Sequence, residues 1–285
     1  MRVIIFGASG FIGGRIRDYL TQAADFEVFG FSSKECNLLI AEEIEEIIKR
    51  YGRGAYIIVC STINRYVENS PESMWKNIEM IKNLTDSLRN NRPAALIFTS
   101  TTDVYGFPPK TTPITEETPP CPSDYYALSK LISEQLLLFH PECPFPVSIL
   151  RLPGVFGQGD RFRSIIGKFA KKILKGEEIT LSKMGKTKRD FVDVHDLCCV
   201  IYHILRSPYK GILNIATGKS ISMRELIDIL SKEMKIEPSV RYLETVNLRD
   251  VDLTFDISRL RSLYPDVSFR DLRYSIAQYI RVIPR

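Results

Sequence analysis

The chain has 285 residues and a net charge of +5, and 44% of its residues are hydrophobic. That length suits one large two-part domain with a real core and is too short for three ordinary ones. Its apolar runs, such as RVIIFGASGFIGG and AALIFTS, are broken by Gly, Ser or Thr well short of the roughly 18 residues that cross a bilayer. This excludes a membrane helix.

The N-terminus enters a strand pattern directly, with no charged, apolar and cleavable segments in succession, so a cytoplasmic location is expected. The basic surplus is dispersed. Its densest stretch, KMGKTKRD, lacks the interleaved aromatics of a single-strand groove, so nucleic acid is not an expected partner, whereas a phosphate-bearing small molecule suits the charge. Cys36, Cys60, Cys121, Cys143, Cys198 and Cys199 have no metal-ligand spacing, so no metal is expected and buried free thiols are.

In chain order, RVIIF reads as a strand, GASGFIGG as a turn, RIRDYLTQA as a helix and FEVFGF as a second strand, the opening of a parallel α/β sheet. Strand patterns recur at AYIIVC, AALIFTS and PVSILRL, separated by helical patterns at 40–50, 73–91 and 124–140. The alternation predicts a doubly wound sheet. After Arg151 the segments are punctuated by Gly and Pro, with a helix pattern near 163–175 and a short strand EEITL. GILNIATG then reads as a strand returning to the main sheet, and SMRELIDILSKEM as an amphipathic helix. The second region is therefore expected to interleave with the first. No repeat or low-complexity tract is present.

Gly7, Gly10 and Gly13 follow the first strand and open a helix. Such spacing permits a tight turn, close approach of backbone to a pyrophosphate and tight helix–strand packing, and it favours a dinucleotide over a merely structural turn. Ser9, Phe11 and Ile12 complete this expected cofactor turn. An NAD site usually ends its second strand with Asp or Glu, whereas this strand runs into Ser32, Ser33 and Lys34. Two hydroxyls and an ammonium suit a 2′-phosphate, so NADP is expected ahead of NAD, a polar turn that touches nothing being the alternative.

Tyr126 and Lys130 lie one helical turn apart, behind a helix start at Pro122, Ser123 and Asp124. A neighbouring ammonium favours phenolate and prepares a tyrosine for proton transfer, although a Tyr–Lys spacing alone also describes an ordinary surface helix. FTSTTDVYG places hydroxyls where a strand ends, at the ligand-binding edge of such sheets.

GASGFIGG, TSTTDVYG, YALSK, RDFVDVHDL and LNIATGKSISMRELI occur in the order and approximate spacing of the extended short-chain dehydrogenase/reductases that act on nucleotide sugars, and the chain resembles that family over almost its whole length. The resemblance implies a Rossmann-type doubly wound parallel sheet with a smaller, interleaved C-terminal substrate-binding domain. The first would comprise 1–156 and 188–216, and the second 157–187 and 217–285. It further implies that Tyr126 and Lys130 are the catalytic pair, that Thr101 orients the sugar oxygen, and that Lys130 also holds the nicotinamide ribose. By the same resemblance Asn37 and Leu38 meet the adenine, Cys60 and Ser61 border the cofactor, Thr102 and Asp103 line the sugar, and Arg189 and Arg249 clasp the nucleotide diphosphate. A homodimer through the helices near 73–91 and 124–140 is implied as well.

There are departures from the family pattern. CSTINRY stands where relatives carry small apolar residues, and Asp103 stands where some dehydratases and decarboxylases carry Glu. The connection from the second strand to CNL is too short for the usual helix, which is similar to NADPH-dependent 4-keto-sugar reductases of deoxysugar biosynthesis. The expected activity is therefore reduction of a 4-keto nucleotide sugar with NADPH. The alternatives are an epimerase or dehydratase that retains its cofactor, and a non-catalytic dinucleotide-binding regulator, against which the intact Thr101, Tyr126 and Lys130 argue.

Overall fold

The computed structural model describes residues 1–89, 91–139, 144–247 and 249–283. The chain runs β1 (Arg2–Phe6), α1 (Phe11–Thr21), β2 (Glu27–Phe31), α2 (Ala41–Ile47), β3 (Tyr56–Val59), α3 (Pro71–Ser87), β4 (Ala95–Thr101), α4 (Tyr125–Phe139) and β5 (Val147–Leu152). It continues through β6 (Gly154–Phe156), α5 (Ile165–Leu174), β7 (Ile179–Leu181), β8 (Lys188–Arg189), β9 (Phe191–Asp193), α6 (Val194–Arg206) and β10 (Gly211–Asn214). It ends with β11 (Ile221–Ser222), α7 (Met223–Met234), β12 (Val240–Tyr242), α8 (Ser258–Leu263) and α9 (Leu272–Val282).

Two compact units result. The first comprises Met1–Gly106, Pro120–Leu152 and Cys198–Leu213, and the second Phe107–Pro119, Pro153–Leu197 and Asn214–Arg285. Residues 107–119, 153–156, 188–197 and 214–216, expected with the dinucleotide-binding part, cluster instead with the second unit. Pairing holds several of them there: Ile114 bridges Phe255, and β6 runs parallel to β9.

The first unit is built on a six-stranded sheet in the order β10-β5-β4-β3-β1-β2. β1 pairs in parallel with β2 on one side and β3 on the other, and β3–β4 and β4–β5 are also parallel. The strand order therefore reverses between β1 and β3, whose carboxyl ends mark the crevice where such sheets bind ligands. β4 and β5 are buried at every residue, which is why their sequences read as apolar runs rather than alternating ones. Ile4, Phe6, Ile57, Val59, Leu96, Phe98 and Ile149 pack with Ile44, Ile81, Leu84 and Leu137 from the helices in one core cluster.

Local chemistry sets the helix starts. Ser70 and Ser73 form a reciprocal capping box with Pro71 as the first helical residue, so α3 begins two residues ahead of the expected 73. Asp124 accepts the Ala127 N–H at 2.8 Å and caps α4, as its position ahead of the helix predicts. The second unit has its own core, in which Phe156, Ile173, Phe191, Leu226, Leu230 and Ile276 meet. A capping box of Ser222 and Glu225 starts α7, and Asp271 caps α9.

Cys36 and Cys198 are buried free thiols, and Cys60 and Cys199 are half-buried. Cys121 is exposed, contrary to the expectation of burial, and Cys143 lies outside the described residues. Among the described residues no cluster of His, Cys, Asp and Glu could hold a metal, and no helix is long and apolar enough to cross a membrane.

Candidate functional site

At the carboxyl end of β1 the chain turns sharply through Gly7, whose φ of 82° disfavours any residue with a Cβ. A Cβ there would also lie 2.7 Å from the Ser61 amide nitrogen at the end of β3, and one at Gly13 would lie 2.3 Å from the Gly7 carbonyl. Gly10 is the N-cap of α1 and provides no side-chain cap. Ser9 and Gly10 are exposed, with Phe11 and Ile12 half-buried in the first turn. A helix start with no side-chain cap, facing a crevice that glycines keep open, fits a dinucleotide pyrophosphate.

β2 ends at Phe31, whose carbonyl accepts the Gly7 and Ala8 amides at 2.9 and 3.1 Å. Ser32, Ser33, Lys34 and Glu35 then fold into a turn in which Glu35 Oε2 accepts the Ser32 N–H at 2.8 Å. Hydrogen bonds from the Ser32 amide and hydroxyl hold the Glu35 carboxyl below its usual range, with a smaller contribution from Arg17. This carboxylate stands beside Ser32, Ser33 and Lys34 and is not among the residues expected at the 2′-phosphate. Its signal lay in the residue after Lys34, but only the turn brings it back to the strand end. No helix intervenes before Asn37, whose side chain accepts the Leu39 N–H at 3.1 Å and whose own N–H donates to Glu43 at 2.6 Å. Leu38 is buried, and its carbonyl accepts from Asn83.

Thr101 closes β4, and its hydroxyl accepts the Asp103 N–H at 3.2 Å, capping the short turn that carries Thr102 and Asp103. Both threonines are buried. The Asp103 carboxylate pairs with Arg65. Arg65 also donates to Asp124 at 3.1 Å, and its guanidinium lies 4.7 Å from the centre of the Tyr126 ring. Lys130 lies one turn along α4 with Nζ 5.9 Å from the same ring centre, but its hydrogen bond goes to the Thr99 carbonyl at 2.9 Å. Burial pushes the Tyr126 phenol up to about 12, opposed by Arg65 and assisted by Asp124 and Tyr66. The cation that lowers this phenol is thus Arg65, in the part expected of Lys130. Cys60 stands by Lys130 and Thr99 with its thiol pushed up to about 12 by burial.

Behind this group Arg151 and Glu134 form a fully buried bidentate pair, at 3.1 and 2.6 Å, and Ser100 donates to the same carboxylate. Neither partner was singled out in the sequence, because nothing there reveals that β5 and α4 face each other.

In the second unit Arg189 donates to the Lys188 carbonyl at 2.8 Å and to the carbonyls of Val251 and Arg249. The Arg249 guanidinium lies 5.1 Å from the centre of the Phe107 ring. The two arginines expected on the diphosphate are therefore neighbours. A cavity of about 550 Å³ also lies within this unit, walled by Phe156, Phe191, Ile229, Leu260 and Arg270, and it includes none of the residues singled out from sequence. Arg270 in its wall is tied to Asp193 and Asp196 at 2.9 and 2.7 Å.

Comparison with known proteins gives concordant results. GDP-6-deoxy-D-talose 4-dehydrogenase of Aggregatibacter actinomycetemcomitans is 25% identical over 236 residues, covering 81% of this chain and 79% of its own length. dTDP-4-dehydro-6-deoxyglucose reductase of Escherichia coli is 25% identical over 293 residues, covering 90% and 89%. Among solved structures, UDP-glucuronic acid 4-epimerase from Bacillus cereus, in complex with UDP-glucuronic acid and NAD, superposes with a TM-score of 0.85 at 19% identity, covering 99% of this chain and 98% of that one. That likeness shows the Rossmann-type fold. The model of the NAD dependent epimerase/dehydratase family matches residues 3–216, well over half of the chain, and the protein therefore belongs to that family.

Proposed function

We propose that this chain reduces a 4-keto nucleotide sugar with NADPH. The observation that carries the reading is the placement of Tyr126 one helical turn ahead of the buried Lys130 on α4, as a phenol that burial keeps in its protonated form. Two further points support it: the helix-free passage from β2 to Asn37, and the two curated relatives whose names describe 4-keto-sugar oxidoreduction.

Reduced nicotinamide, when bound, supplies the hydride that forms the new C–H bond at the carbonyl carbon. The turn from Gly7 to Gly13 and the end of β3 at Cys60 and Ser61 would hold the pyrophosphate, with Ser32, Ser33 and Lys34 at the 2′-phosphate and Asn37 and Leu38 at the adenine. Thr101 would hydrogen-bond the sugar oxygen, and Tyr126 would donate its proton as the C=O π bond becomes an alkoxide. The Lys130 ammonium would hold the ribose, and the Arg65 guanidinium on the ring face would favour the phenolate left behind. Arg189 and Arg249 would clasp the diphosphate, arginine's planar fork matching phosphate oxygens. The protein would act as a homodimer through α3 and α4.

A second reading, an epimerase or dehydratase that retains NAD, draws on Glu35, whose carboxylate at the end of β2 suits a ribose diol better than a phosphate.

One experiment separates the two. Incubation with a 4-keto-6-deoxy nucleotide hexose should consume the reduced-nicotinamide absorbance only when both sugar and NADPH are present, and Tyr126→Phe should slow that loss by about 10²-fold or more. Conversion of a nucleotide sugar with no added cofactor and no net absorbance change would establish the second reading instead.

A further inference from the structure

Arg65 belongs to CSTINRY, the segment after β3. It is a long cation with only 11% of its side chain exposed, and it meets two carboxylates from different parts of the first unit. Asp103 follows Thr101 by two residues on the turn after β4, and Asp124 precedes Tyr126 by two residues as the cap of α4. Between these pairs the guanidinium lies against the Tyr126 ring face. A planar group with several donors in a fixed fork is well suited to pair with two carboxylates while lying flat on a ring.

We propose that Arg65 is a positioning residue for Tyr126, a clamp that fixes the turn carrying Thr101 to the helix start carrying the phenol. The inference rests on the reading of Tyr126 as proton donor. Two hydroxyls that must reach one substrate oxygen sit on separate segments, and a hydrogen bond needs its partners set within a few tenths of an ångström. The backbone gives a partial tie, through the Tyr126 N–H to the Asn69 side chain at 3.0 Å. Arg65 adds the tie between the two segments themselves.

The charges are matched to the same task. Among the described residues, Arg65, Asp103, Asp124, Tyr66 and Lys130 are the titratable groups placed near the phenol or its guanidinium partner. Arg65 alone would draw the phenol toward phenolate, and burial, with Asp124 and Tyr66, offsets it. The clamp thus grips the ring without stripping the proton.

The test is a cycle between Arg65 and Tyr126. Arg65→Lys keeps the charge but loses the double pairing and the stack. In steady-state reduction it should lower kcat by about tenfold, with KM for cofactor and sugar within about twofold of wild type. In the Tyr126→Phe background the same change should cost less than about twofold, because Arg65 acts through the phenol. Wild-type kcat in Arg65→Lys, or an equal loss in both backgrounds, overturns the proposal. A second measurement needs no substrate. Hydrogen exchange of peptides covering 101–106 and 123–130 should quicken together in Arg65→Lys and Arg65→Met, and unchanged exchange in both would refute the clamp whether or not the protein is a reductase.

Discussion

Lys130 Nζ donates to the Thr99 carbonyl at 2.9 Å and lies 4.6 Å from the centre of the Phe98 ring, in a site only 3% exposed. Burial lowers this ammonium from 10.5 to about 8, while the Cys60 thiol and the Glu134 carboxylate favour the charged form. On the proposed role of Lys130 as the cation that holds the ribose, kcat/KM for the cofactor, which reports the free enzyme, should fall as pH rises through about 8. Lys130→Arg should abolish that alkaline limb even at lower overall activity.

The same shift has a stability consequence of definite sign. Between about 8 and 10.5 the unfolded chain binds a proton at Lys130 that the folded chain does not, so this group's contribution to stability rises with pH across that window. Below it both states are charged and the full burial cost is present. Lys130→Met should therefore be more stable than wild type at pH 7, by on the order of 1 kcal/mol in denaturant unfolding, with the gain shrinking toward pH 10. A variant that is less stable at pH 7 would show that the Thr99 hydrogen bond outweighs desolvation.

The turn after β2 holds an ammonium and a carboxylate side by side, Lys34 and Glu35, and both are exposed. If a 2′-phosphate is seated there, Glu35→Gln should tighten NADPH and Lys34→Asp should weaken it, each by about three- to tenfold, with NADH changed less. Titration of reduced-nicotinamide fluorescence measures both. A loss of NADH affinity in Glu35→Gln would instead identify the carboxylate as a partner of the ribose hydroxyls.

These tests concern residues of unequal visibility in the sequence. The glycine turn was legible because its meaning depends on spacing after a strand, and α4 because an apolar pattern follows a capping Asp124. Helix α6 was not read as a helix: VHDLCCVIYHILR is rich in Val, Ile and Cys, which carry little helical propensity, and packing settles its form. Arg65 illustrates the deeper limit. Its contact with Asp124 spans 59 residues of sequence, and no local pattern announces a pairing that exists only once β3, β4 and α4 lie side by side. Glu35 fails for the opposite reason, since its bond is local and depends on the backbone path of a single turn.

The pair of Arg151 and Glu134 is fully buried, 2% and 0% exposed, so removing one partner strands a charge where water cannot reach it. Arg151→Met or Glu134→Met should each cost about 3–5 kcal/mol in urea unfolding. The double replacement should cost clearly less than the sum, because the second change removes the stranded charge. Additive losses would mean that each side chain acts through other neighbours, such as Ser100 for Glu134 or the Tyr105 ring for Arg151.

Helix α4 is apolar on more faces than its core contacts use. Leu137 packs into the core cluster, with Leu136 and Leu138 against it. Leu128, Leu131, Ile132 and Phe139 fall on another stripe at helical spacing, with the first three only partly buried and Phe139 76% exposed. On α3, which packs beside α4, Trp75 is 62% exposed. Aromatic and aliphatic groups so displayed on adjacent helices suit a two-fold helical contact between copies of the chain. Sedimentation at micromolar concentration should therefore give a dimer, and Ile132→Glu, which sets a charge in the middle of the stripe, should give a monomer while leaving the far-ultraviolet dichroism unchanged. A wild-type chain that sediments as a monomer, or an Ile132→Glu chain that stays dimeric, would move the interface away from α4.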